Sequence, residues 1–424
     1  MLDKVLQVFK IPDLRKKILF ILGILVIFRI AAHIPIPGVD PENLKSFFAG
    51  NQIFGLLDIF SGGGLAKLSV VMLGVAPYIT ASIIMQLLTM IIPRLEELSK
   101  EGEQGRQKIN QWTRYLTIPL AAVQSYGFLT LLMKSDRPVI TNITPFDLLT
   151  IIFSVTAGTV FLMWLGELIT EKGIGNGISL IIFAGIVSRL PQVVQQVFVL
   201  WDWTKLPTYI ASLVVAVIVI TGVVIVTEGR RNIPIVYAKR VRGMRMYGGT
   251  STYLPLRVNQ AGVIPIIFAI SIVLFPGMIA NFFVNSANPT VANIARQVTG
   301  LFQDNFFYGI FYFILVVVFT YFYTAVIFHP QTIAENIQKQ GGFVPGIRPG
   351  RRTARFLHMV MNRITLTGAL FLGAIAILPF IMQGATGIAA LSIGGTGLLI
   401  VVSVVLETMK QIESQLVMRD YEGF

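Results

Sequence analysis

The sequence predicts an all-α, polytopic membrane protein of ten spans, and three observations carry that expectation. Hydrophobic residues fill 54% of 424 positions and charged residues only 13%, where a soluble domain carries about 25% charged residues. The apolar residues fall in ten runs, at 18–34, 73–92, 115–133, 148–169, 178–199, 208–226, 261–279, 306–328, 364–382 and 389–406. About 20 residues at ~1.5 Å rise cross a hydrocarbon core of ~30 Å. The runs are continuous, whereas a transmembrane barrel would show ~10-residue segments of alternating polarity.

The first run could be mistaken for a signal peptide. It carries Arg29 and lacks a small-x-small cleavage site, so it reads as a retained span. The second lies in a broken segment, Phe60–Pro93: Gly62-Gly63-Gly64 opens it, Lys67 interrupts it, and Gly74 and Pro77 follow. Glycine adds backbone freedom and proline removes an amide donor. Irregular backbone at membrane depth persists only where protein buries it or a cavity meets it. The segment therefore points to a hole, or to something plugging one.

The third and fourth runs are plain. The fifth opens with Gly173-Ile174-Gly175-Asn176-Gly177, which lets a helix start close to another backbone. Arg189, Pro191 and three glutamines then dilute it. Pro265 is expected to break the seventh run beside Ile266 and Ile267, and Gly394-Gly395-Thr396-Gly397 precedes the apolar part of the last. Val75 and Ile79 lie four apart, as do Ile178 and Ile182, so each pair shares a helix face. Spacing alone does not show that these faces converge.

An even number of spans puts both termini on one side. The loops and tails of that side hold 26 of the 34 Lys and Arg, so it is expected to be cytoplasmic. Two loops there are the most basic. The 228–257 loop carries seven Lys and Arg, and its Ile233-Pro234-Ile235-Val236-Tyr237 stretch before Gly248-Gly249 suggests a hairpin-like projection. The 329–363 loop carries six, with a Gly346-Ile347-Arg348-Pro349-Gly350 turn. Such charge suits either anionic lipid or docking to a large acidic partner.

Coupled transporters usually place ionisable groups at mid-membrane. Arg29, Glu167 and Glu407 instead lie near span ends, where snorkelling explains them. His33, His329 and His358 have no metal-ligand spacing, and HExxH, nucleophile-elbow and Walker motifs are absent. The chain has no cysteine, which excludes disulfides and thiolate metal sites. No catalytic residue, cofactor or metal is expected.

The segments FSGGG with GVAPYITASIIMQLL, EGEQGRQKINQWTRY, EKGIGNGISLIIFAGIV, IPIVYAKR, NQAGVIPIIFA, FVPGIRPG and GGTGLLIVV occur in this order from Phe60 to the C-terminal tail. Together with RKKILFILGILVIFRI they resemble the SecY/Sec61-alpha family, pore subunits of protein-conducting channels. The resemblance implies two five-helix halves, 1–206 and 207–424, related by an inverted pseudo-twofold axis around an hourglass pore. It maps a constriction ring onto Val75, Ile79, Ile178, Ile182, Ile267 and Ile400, with valine at 75 where many relatives have isoleucine.

It also maps a plug, a short helix below the ring, onto Ser61, Gly62, Gly63, Gly64, Leu65, Ala66, Lys67, Leu68 and Ser69. Thr80 and Phe275 would face each other across a lateral gate open to membrane lipid. Lys239, Arg240 and Arg348 match docking positions for the SecA motor ATPase or the ribosome. SecE and SecG are the implied companion subunits, and signal peptides and nascent chains the substrates. The implied location is the bacterial cytoplasmic membrane. A secondary transporter of a small solute is the alternative, and it would require the intramembrane coupling residues that the spans lack.

Overall fold

The computed structural model describes residues 11–36, 58, 61–133, 144–199, 203–237, 240–242, 245–247, 251–284, 288–386 and 394–422. Lys239, the Gly248-Gly249 turn and the first part of the tenth apolar run lie outside the described residues. The chain divides into two compact units. The first comprises Met1–Leu206, Leu274–Gly300 and Ile400–Phe424, and the second Pro207–Val273 and Leu301–Leu399.

The first unit contains α1 (Pro12–Ala31), α2 (Ala76–Ile91), α3 (Pro93–Lys100), α4 (Glu103–Met133), α5 (Pro145–Lys172), α6 (Gly177–Val187) and α7 (Leu190–Val199). Proline stands in the first turn of α1, α2, α3 and α5, where its missing amide would have no helical acceptor. Thr144 closes a capping box with Asp147 at the start of α5, and Asn176 caps α6 by accepting from the Ser179 amide at 3.2 Å. The chain bends by 102° between α2 and α3. The fifth run is split between α6 and α7, with Ser188 and Arg189 at the junction.

The expected close helix start is found between α5 and α6. A Cβ on Gly177 would collide with the Gly166 carbonyl, and one on Gly166 would collide with Ile178 Cδ1. The Thr170 hydroxyl accepts from the Gly177 amide at 2.9 Å, so the freed donor at this tight start is satisfied. α4 and α1 pack on α5, and α2 packs on α4.

In the second unit, α8 (Leu206–Glu228) leads into a small sheet. Strand β1 (Arg230–Tyr237) pairs antiparallel with β4 (Ser251–Arg257), as the hairpin expectation holds. Between them, β2 (Arg240–Arg242) pairs with β3 (Arg245–Tyr247). The other free edge of β1 takes β5 (Gly342–Phe343) from the second basic loop, which the sequence did not foretell. Helix α9 (Ile264–Phe283) begins in this unit and runs into residues of the first. Pro265 therefore starts a helix and does not break one, because a first-turn proline removes no helical bond. Within the unit, Phe268 of α9 meets Tyr323 of α11 (Asn305–Ile327) edge-on, with centroids 5.8 Å apart. α11 packs on α13 (Arg351–Thr386), where Tyr308 and Phe380 rings lie 5.2 Å apart. α12 (Pro330–Lys339) also belongs to this unit, whereas α10 (Pro289–Gln303) and α14 (Gly394–Glu422) lie mostly in the first, and a 3-10 turn spans Trp203–Lys205.

Among the described residues, four stretches are long and apolar enough to cross a membrane, at Pro145–Lys172, Leu206–Glu228, Phe306–Lys339 and Arg351–Met382, and the bent pair α2–α3 would make a fifth.

Gly177→Ala is expected to lower stability by roughly 1–3 kcal/mol through overpacking against backbone that cannot retreat. Gly23→Ala, whose added methyl meets nothing within 4 Å, should be neutral or slightly stabilising. Thermal unfolding of the two variants in detergent checks the contrast.

Candidate functional site

Residues 61–75 form a chain of tight turns leading into α2. The implied helix at 61–69 is thus corrected: Gly62 and Gly63 take φ of 69° and 85°, and Leu68 takes 42°. Left-handed residues cannot continue a right-handed ladder. For leucine that conformation costs about 1–2 kcal/mol. The Leu68 side chain offsets this by burial: it is 1% exposed, clustered with Leu65, Met72, Phe128, Leu129 and Val155. Full burial of one such side chain contributes about 1.5–3 kcal/mol.

The turns satisfy their own backbone. The Ser69 amide donates to the Gly64 carbonyl at 2.8 Å, Ile36 to Leu68 at 2.9 Å, and Val70 to Ile34 at 3.0 Å. Pro35 and Ser69 thereby form an isolated antiparallel bridge, tying the chain after α1 to the turn segment. Close approach matters at Gly62, where a Cβ would sit 2.7 Å from the Phe28 ring.

Two arginines hold the entrance to these turns. Arg29 of α1 donates from Nη1 to the Gly62 carbonyl at 2.7 Å. Arg189, at the α6–α7 junction, forms an ion pair with Asp58. Asp58 is 2% exposed, and its Oδ1 also accepts from the Ala66 amide at 2.6 Å. Ser61 donates to the Asp58 carbonyl at 3.0 Å and accepts from the Leu65 amide at 3.0 Å. Lys67 is exposed. Sequence reasoning did not select Asp58 or Arg189 for the site. The available signal was isolation: Asp58 is the only charged residue between Lys45 and Lys67.

Of the ring candidates in the first unit, Val75 caps α2 and accepts from the Ile79 amide at 3.1 Å. Val75 and Ile182 are each 2% exposed and Ile400 is 1% exposed. Ile79 is half-buried, and Ile178 leans over Gly166. Ile267 lies on the first turns of α9 in the second unit, half-buried beside Phe268. The Thr80 hydroxyl donates to the Ala76 carbonyl of its own helix at 3.0 Å. Phe275 lies on α9 one residue before Pro276.

The two basic loops meet in one platform in the second unit. Ile233 and Leu256 of the hairpin, Val344 after β5, and Phe328, Leu357, Val360 and Met361 of the flanking segments form a buried cluster beneath it. Above, Arg348 is exposed on a turn between Gly346 and Gly350, both left-handed, and its carbonyl accepts from Thr353 at 3.0 Å. Arg240 heads β2, in register with Tyr247. Arg230 and Arg257 stand directly opposite in the β1–β4 pairing, an arrangement of like charges that is unfavourable in isolation. Among the described residues, no group of three or more His, Asp or Glu could hold a metal ion.

This architecture has known counterparts. The family model described as SecY matches residues 69–409. A chain named protein translocase subunit SecY from Mycobacterium bovis is 47% identical over the full length of both chains, and one so named from Streptomyces galbus is 45% identical, also end to end. Among solved structures, one described as a protein-conducting channel has a TM-score of 0.61 at 21% identity, covering 94% of this chain and 91% of that one. Sec61 in the canine ribosome-channel complex has a TM-score of 0.59 at 21% identity, with the same coverage. With the turns, glycine contacts and helix order set in that frame, the chain belongs to the SecY family.

Proposed function

We propose that the chain is the pore subunit of a channel that moves unfolded secretory polypeptides across the membrane and releases transmembrane segments into lipid. The observation that carries this reading is end-to-end identity of 47% with relatives named as translocase subunits. The chain performs no catalysis, and the driving energy comes from outside it.

In this reading ten helices in two inverted halves enclose the pore, with both termini cytoplasmic in a bacterial cytoplasmic membrane. Val75, Ile79, Ile178, Ile182, Ile267 and Ile400 form the constriction. Branched apolar side chains close around a passing backbone, exclude ions by dewetting and offer no hydrogen bond that would retain a substrate. The turns at 61–69 seal the resting pore, with Gly62 and Gly63 as hinges. Signal peptides and nascent helices leave between Thr80 and Phe275. About ten central apolar residues, at roughly −0.3 to −0.6 kcal/mol each, bias that exit by several kcal/mol.

The basic platform receives SecA or the ribosome, through Lys239, Arg240 and Arg348. Facing arginines at 230 and 257 suit an acidic partner, since its charge relieves their repulsion. The canine relative was solved in a ribosome-channel complex, which supports the ribosome as one partner. SecE and SecG complete the assembly. A small-solute transporter has no supporting observation here: the buried carboxylate at Asp58 is committed to Arg189 and to the Ala66 amide.

Ile400→Asn is expected to raise resting ion leak severalfold in reconstituted vesicles and to admit substrates with defective signals. Unchanged leak and unchanged stringency would remove Ile400 from the ring. Arg348→Glu is expected to cut motor-driven export about tenfold, which corresponds to ~1.4 kcal/mol of lost docking energy. Companion subunits should still co-purify with it, and wild-type ATP-dependent translocation would contradict the docking role.

A further inference from the structure

We propose that Asp58 and Arg189 form an electrostatic latch that sets the threshold for opening, by fastening the 61–69 turns to the α6–α7 junction. The inference rests on the reading of those turns as the seal of the resting pore. It adds the device that keeps the seal in place.

The carboxylate of Asp58 works as a bridge. One oxygen pairs with Arg189 and the other accepts from the Ala66 amide, inside the turns, at 2.6 Å. Ser61 reinforces the near side through its bond to the Asp58 carbonyl. The apolar contacts of Leu65 and Leu68 would hold the turns from the far side. They are non-directional, so they do not fix which way the entrance faces. A buried charge pair does, because removing either partner strands the other charge in an apolar setting. Its attraction also depends on dryness: the same pair weakens steeply once water raises the local dielectric. The latch is therefore firm while the pore is closed and loosens as water enters. Opening becomes self-promoting beyond a threshold.

Arg29 is placed to guide this motion. It donates to the neutral Gly62 carbonyl, a bond that water can replace at little cost.

The test uses the assembled complex in vesicles, carrying Asp58→Asn, Arg189→Gln or both. Asparagine keeps an oxygen for the Ala66 amide and removes the charge. Each single variant should raise resting ion leak at least fivefold and admit substrates with defective signals. The double variant should leak no more than the worse single one. Additive leak would mean that the two residues act separately and would overturn the latch. A control with Leu65→Asn and Leu68→Asn separates the two readings. If it leaks while the latch variants stay tight, the latch is wrong and the seal stands; if it too stays tight, the seal reading falls and the latch with it.

Should the charge variants fail to accumulate, Asp58→Cys with Arg189→Cys gives a second route, since the chain has no other cysteine. Joining the two thiols with a short cleavable reagent should stop translocation, and cleavage should restore it. Undiminished translocation through the joined channel would overturn the proposal.

Discussion

Non-helical backbone in apolar surroundings must find a partner for every amide and carbonyl, and the turn segment between Ser61 and Val75 is arranged around that demand. The segment's bonds within the turns, such as Ser69 to Gly64, are joined by two to the tail of α1: Val70 donates to the Ile34 carbonyl, and the Leu68 carbonyl accepts from the Ile36 amide. Its side chains then have to fill the space between α4 and α5, which accounts for the cluster around Leu68. Neighbouring helices yield room where backbone meets backbone. A side chain at Gly158 of α5 would strike the Val70 carbonyl, and one at Gly62 would strike Phe28 of α1. The left-handed Leu68 is tolerated because all these contacts agree on its position.

Much of this was legible in the residues. Gly74 and Pro77 announced a break because each acts locally: glycine takes a φ of 59° at the end of the turns, and proline begins α2. The Gly173–Gly177 region announced a close helix start for the same reason, and Gly177 meets Gly166 as its composition implied. Pro265 was misread because a proline that starts a helix and one that breaks it look alike without the helix boundary. The helix expected at 61–69 came from family likeness, and three left-handed residues exclude it here. Asp58 with Arg189, and β5 with β1, escaped notice because the partners are distant in sequence. Two residues such as Gly342 and Phe343 carry no periodicity to read.

Charge plays opposite parts in the two units. In the first, the buried carboxylate of Asp58 is held by Arg189 and the Ala66 amide, so its value lies in direction. In the second, arginines are spread over an exposed surface whose rigidity comes from the apolar cluster beneath. Exposed charges of that kind add little stability. What they add is a field that draws acidic surfaces, and that field is steady because Arg348 sits on a turn fixed by Gly346, Gly350 and Thr353.

The pairing of β5 with β1 has a mechanical consequence. Val236 faces Phe343 and Tyr237 faces Gly342, so two loops that are separate in sequence share one sheet. A force applied to the tip of either loop is carried across the shared strand before it reaches α8 or α13. The loops behave as one lever arm with two handles, and torque delivered at one handle arrives at the roots of both.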